Sequence, residues 1–143
     1  MGSVALVGSY LSLKTDVSFV NTEAAYHRIQ QDTTLQNSIE RGKTVYEDFC
    51  MQCHMATGEG IPGAFPPLAK ADYLLENRTK AIHAVKFGLK GPITVNGTDY
   101  NSVMAPLGLY DDEVADVMNY ILNSWGNTSD KLVTEEEVAA VEE

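Results

Sequence analysis

Apolar positions recur at helical spacing in two separate parts of this chain, with glycine- and proline-rich sequence between them. Ile39, Gly42, Tyr46 and Phe49 follow one another at three, four and three residues, which puts them on one face of a helix. Gly42 sits on that stripe, where glycine costs up to about 1 kcal/mol relative to alanine. The expected compensation is a second helix crossing closely at that point. The second stripe is Val114, Val117, Met118, Ile121, Leu122 and Trp125, predicting a helix over 111–125. Asp111, Asp112 and Glu113 suit its positive N-terminal end, and Gly126 is placed to stop it.

Weaker patterns fill in the rest. A short helix is expected over 71–77 and another over 79–87, with Ile82 and Val85 inward and Gly88 as its stop. Residues 57–68 are too dense in glycine and proline for regular structure. Residues 88–106 read as a second long loop, with Gly91-Pro92 and Asn96-Gly97 as turn signals. Thr134-Glu135-Glu136-Glu137 is a capping-box pattern opening a short exposed helix in an acidic tail. Residues 14–37 are polar without a strong period, and 22–31 reads as an outlying helix or a linker. Residues 1–13 are mildly apolar but shorter than the ~20 residues a membrane span needs, and lack a basic start and a cleavage site. The remnant of an export or anchor segment is one reading of them, a short strand or loose terminus the other; no membrane span is expected. The domain organisation that follows is an N-terminal extension (1–37), a compact domain (38–127) and an acidic tail (128–143).

Composition narrows the function classes. With 44% hydrophobic and 21% charged residues the chain is ordinary for a soluble globule. A net charge of −10 argues against nucleic-acid binding and allows steering toward a basic patch on a partner protein.

The chemistry is concentrated in Cys50-Met51-Gln52-Cys53-His54, the C-x-x-C-H pattern of covalent haem attachment. Thiols three positions apart lie on one side of a helical turn. They can add to the two vinyl groups of one haem, while His54, four positions after Cys50, offers its ring to the iron. Competing readings fit less well. A redox dithiol belongs in a strand–helix setting, a structural zinc site needs four ligands, and a disulfide this short closes almost no loop. The chain has no further cysteine, and His27 and His83 stand far off without ligand spacing.

A six-coordinate haem iron needs a second axial group. Met51 and Met55 are too near the attachment turn, and Met118 belongs to the inward stripe of the last helix. Met104 lies in a loop stiffened by Pro106 and is the expected ligand. His54 and Met104 are thus the expected metal ligands of one covalent haem c. Ile61, Phe65, Leu68, Ile82, Val85, Leu107 and Met118 are the expected walls. A domain of about 90 residues buries a limited share of its surface, so the chain is expected to be unfolded or molten without its haem.

Four pieces standing in order give a resemblance to class I c-type cytochromes across roughly 38–127. They are Gly42-x-x-x-Tyr46, Cys50-x-x-Cys53-His54, the Gly-Ala-Phe-Pro-Pro-Leu loop ending at Leu68, and Asn96-Gly-Thr-Asp-Tyr-Asn-Ser-Val-Met104. The end of the domain is similar to the haem domains of copper nitrite reductases and to cytochrome subunits of quinoprotein dehydrogenases. The resemblance implies an all-α cytochrome c-like fold in which Gly42 and Tyr46 meet Val117 and Tyr120. It also implies that a proline carbonyl accepts the other ring N–H of His54, with Pro67 chosen ahead of Pro66. Family members often place proline directly after the ligand methionine, where this chain has Ala105. The functional expectation is a non-enzymatic one-electron carrier outside the bacterial cytoplasm, serving an oxidase, reductase or dehydrogenase. A haem enzyme or sensor with a labile methionine and a dithiol oxidoreductase are the alternatives.

Overall fold

A computed structural model describes residues 22–143; the apolar segment at 1–13, with its export reading, lies outside the described residues. The element order is α1 (Thr22–Phe49), α2 (Met51–His54), α3 (Asp72–Glu76), α4 (Arg78–Phe87), β1 (Ile93–Val95), β2 (Thr98–Tyr100), α5 (Asp111–Ile121) and α6 (Glu135–Ala139). The fold is mostly helical, as expected, with one small hairpin added.

α1 and α5 cross where the sequence places Gly42. A Cβ at Gly42 would stand 1.9 Å from the Asp116 carbonyl oxygen and 2.9 Å from Val117 N, so only glycine permits this approach. Tyr46, one turn on, packs its ring 5.3 Å from Tyr120 and 5.0 Å from Trp125. The buried face of α1 is Ser38, Gly42 and Tyr46; Phe49, expected inward, is 47% exposed. α1 is also one unbroken helix from Thr22, running through the expected boundary at residue 38. Its first turns are polar and mostly exposed, so no apolar stripe marked them.

The expected loop at 88–106 contains β1 and β2, paired antiparallel with Ile93 opposite Tyr100 and Val95 opposite Thr98. The two residues between them, Asn96 (φ 50°) and Gly97 (φ 75°), both have left-handed backbone, the combination that lets a two-residue turn match strand twist. Asn96 and Asp72 exchange two hydrogen bonds, each backbone N–H donating to the other's side-chain oxygen at 3.0 and 2.7 Å, which seats the turn on the start of α3.

α5 ends at Ile121, short of the expected 125. Ser124 Oγ and Asn123 Nδ2 donate to the carbonyls of Tyr120 and Asn119, and Trp125 takes a left-handed φ of 53°. Its indole turns back onto Tyr46 and Tyr120 while Nε1 donates to Ala56 O at 2.9 Å. The spacing reached Trp125 because its ring joins the same core, without the helix extending to it.

The tail is no loose appendage. α6 starts at the expected cap, where Glu137 N donates to Thr134 Oγ1. It is not simply exposed, however, because Val133 and Val138 are fully buried in the core. Among the described residues no helix is long and apolar enough to cross a membrane.

Candidate functional site

The end of α1 delivers the motif. Cys50 N donates to Tyr46 O, and Cys53 N and His54 N both donate to Cys50 O, so the motif forms one turn. Met55 follows at φ 65°, ending α2, and its carbonyl accepts from Tyr46 Oη at 2.6 Å. Cys50, Cys53 and His54 thereby line one side of a cavity. Cys50 and His54 also line a smaller adjoining cavity.

His54 is buried, and its Nδ1 lies 2.9 Å from Pro66 O. A carbonyl only accepts, so Nδ1 carries the proton and Nε2 holds the free lone pair. The acceptor is therefore Pro66, not the expected Pro67. Residues 61–65 close a tight turn, with Phe65 N donating to Ile61 O, and this brings the Pro66 carbonyl to the histidine. Pro67 lines the smaller cavity instead. Burial pushes the His54 pKa down, opposed by the Pro66 hydrogen bond, and so favours the neutral ring that a metal requires.

Met104 lines both cavities, as do Leu89 and Ile93. It is held by a backbone bridge, Leu89 N to Met104 O and Met104 N to Leu89 O, each 2.8 Å. Gly88 makes room for it, since a Cβ there would meet Met104 O at 2.5 Å. Ser102 Oγ donates to Ala64 O, tying the methionine segment to the proline-rich loop. Among the alternatives, Met118 lines only the smaller cavity, and Met51, Met55, His27 and His83 line neither.

The expected walls divide. Phe65, Leu68, Val85, Leu107 and Met118 line the cavities. Ile61 is 37% exposed, and Ile82, on α4, is fully buried in the core; neither lines a cavity. The walls that sequence reasoning missed include Leu89, Ile93, Val95 and Tyr100, all in the segment read as loop. Asn96-Gly97 next to the β-branched Ile93-Thr94-Val95 was the available hairpin signal.

The chemistry of this lining is specific. Among the described residues, neither cavity has an Asp, Glu, Lys or Arg in its wall. The polar features are one imidazole, two thiols, a thioether and the hydroxyl-bearing Tyr73, Tyr100 and Ser102, in an otherwise apolar enclosure. Among the described residues no three His, Cys, Asp or Glu side chains are grouped to hold a metal ion. Burial, and then the nearby Cys53, pushes the Cys50 thiol up to about 11, whereas a redox dithiol needs a depressed thiol pKa. A large, flat, apolar group bearing a metal and two thiol-reactive substituents fits all of these features.

The family model for cytochrome c matches residues 39–125. The chain belongs to the cytochrome c family. Cytochrome c-552 of Thermus thermophilus is 43% identical over 91 residues, covering 60% of this chain and 69% of that protein. Its counterpart in a second strain of that species is equally identical, with 61% of its length covered. The cytochrome c subunit of the quinone alcohol dehydrogenase of Gluconobacter oxydans is 31% identical over 115 residues, of which this chain spans only 24% of the length. As a cytochrome c, the protein is an electron carrier with haem c bonded covalently through the cysteine pair Cys50 and Cys53.

Proposed function

We propose that this cytochrome holds its haem iron between His54 Nε2 and Met104 Sδ and passes single electrons without bond chemistry of its own. The haem supplies a reversible one-electron couple. The polypeptide orients the imidazole through the Nδ1–Pro66 hydrogen bond and presents the sulfur through the Leu89–Met104 bridge. The observation that carries the reading is that, among the described residues, His54 and Met104 are the only His and Met residues to line both cavities. A neutral thioether raises the reduction potential relative to a second imidazole or a thiolate. With His54 and Met104 both holding the metal, small oxidants would be kept from it, which would favour electron transfer over catalysis. The uncharged lining works in the same direction, because a ferric centre in an apolar enclosure is disfavoured relative to the ferrous one.

The same reading places the protein outside the bacterial cytoplasm, where covalent haem attachment takes place. Its partners are redox proteins: an oxidase or reductase on one side and a dehydrogenase on the other. The similarity to a dehydrogenase cytochrome subunit supports the second class. Haem-contacting residues in this reading are Cys50, Cys53, Phe65, Pro67 and Leu68.

The test is the ferric spectrum of the haem-loaded protein. The weak far-red band of methionine-ligated iron is expected in the wild type and should vanish in Met104→Ala, with a fall in potential. A band that survives in M104A refutes the ligand assignment.

A further inference from the structure

The family match stops at residue 125, yet residues 128–143 are built into the molecule. Two cations on α4 hold them there. Arg78 forks onto Glu137, with Nε and Nη2 at 2.7 and 2.8 Å, and also donates to the carbonyls of Lys131 and Leu132. Lys86, 16% exposed, donates to Val138 O at 2.9 Å and pairs with Asp111 at 3.1 Å. Val138 fills the space beneath and is fully buried.

α4 therefore lies between two structures. One face carries Ala81, Ala84 and Val85 into the haem cavity, and the C-terminal segment is fastened to it through Arg78 and Lys86. The end of α4 leads directly into the methionine. Gly88 stops the helix, and Leu89, three residues after Lys86, makes both hydrogen bonds of the bridge to Met104. The chain of contact runs from Val138 through Lys86 and the last turn of α4 to Leu89 and Met104.

From this geometry we infer that the C-terminal segment is a strap that positions Met104 on the iron, with Lys86 and Val138 as its positioning residues. The inference rests on the assignment of Met104 as the axial ligand. Loosening the strap frees the last turn of α4, so the Leu89–Met104 bridge opens more often and the sulfur becomes an exchangeable ligand. The global fold need not be lost, because the α1–α5 crossing and the covalent haem stay in place.

The test uses the full-length haem-loaded protein and imidazole as the competing ligand. Lys86→Met keeps the stem but removes every donor, and Val138→Ser releases the strap while leaving the Lys86–Asp111 pair available. Val117→Ala, at the α1–α5 crossing, is the control for general loss of stability. Removing the charge-assisted contact in K86M, or the buried apolar anchor in V138S, is expected to speed imidazole binding to the ferric protein by about tenfold. Both strap variants should show it, together with a weakened far-red band, and V117A should not. If K86M and V138S bind imidazole no faster than V117A with the band intact, the strap has no hold on Met104. M104A separates the two levels. A band that persists in M104A overturns the ligand assignment and this inference with it, whereas a band lost in M104A but unmoved in K86M and V138S overturns the strap alone.

Discussion

Replacing Gly42 by alanine tests the crossing on which the attachment turn depends. The new Cβ would lie 1.9 Å from Asp116 O and 2.4 Å from Asp116 C, both backbone atoms of α5 that no side-chain rotation can move aside. Reaching an ordinary C···O separation of about 3.3 Å requires α5 to retreat by roughly 1.4 Å. A gap of even ~1 Å forfeits as much as half of each dispersion contact along the shared face. Val117 is fully buried there, and Tyr46 packs on Tyr120 beside it. Overpacking of this kind costs about 1–3 kcal/mol, and the upper end applies where backbone must yield. Against it stands a gain of about 1 kcal/mol in helix propensity. The net expectation is a loss of about 2 kcal/mol. Arg41 and Ser38, which both bond Asp116, would be displaced as well, but the Arg41 side chain is 63% exposed and its pair adds little.

Urea titration of the haem-loaded protein measures this loss, with the midpoint falling at unchanged slope. Thr44→Ala, on the exposed side of α1, is the companion variant and should be neutral or slightly stabilising. If G42A is as stable as the wild type at the same slope, the close crossing does not exist as described and the placement of Cys50 at the end of α1 needs another explanation.

Further outcomes follow from single contacts. Asn119 is fully buried, donating to Ser38 Oγ and Val133 O and accepting from Val133 N, so Asn119→Ala strands buried backbone groups and should cost about 2–3 kcal/mol in the same titration. Asn96→Ala should destabilise by about 1 kcal/mol and speed amide exchange in β1 and β2, while Asn96→Gly, which keeps the left-handed turn, should lose less. The Arg78 hydrogen bond holds the Glu137 carboxyl below its ordinary value of 4.5. Because the folded pKa is the lower one, its contribution is complete above that value and disappears as pH falls through the depressed pKa. Stability–pH curves of wild type and Glu137→Gln should therefore differ at neutral pH and converge in acid; parallel curves would deny the pair any role.

The parts legible in the sequence are those where one residue type has one physical use. Cys50, Cys53 and His54 make sense together only around a covalent metal group, and Gly42 on an apolar stripe signals a helix crossing, which Asp116 confirms. The parts that were missed depend on contacts distant in sequence. Three-residue strands are too short to display alternation, so Ile93–Val95 and Thr98–Tyr100 were hidden between Gly91-Pro92 and the methionine segment. The choice between Pro66 and Pro67 turned on a hydrogen-bonded turn at 61–65 that composition describes only as irregular. The tail misled for a different reason. Its acidic residues suggested a solvated face, but Glu137 meets Arg78 across 59 positions, and two isolated valines anchor the segment without forming any visible period. That kind of attachment cannot be read from one element's pattern, because each half of it becomes meaningful only beside the other. It also bears on function. The residues that supply electron-transfer chemistry are local and recognisable, whereas those that hold the methionine loop in place are drawn from α4 and a segment beyond the family's shared boundary. Variation in such a segment can retune ligand lability while leaving every residue of the haem motif unchanged.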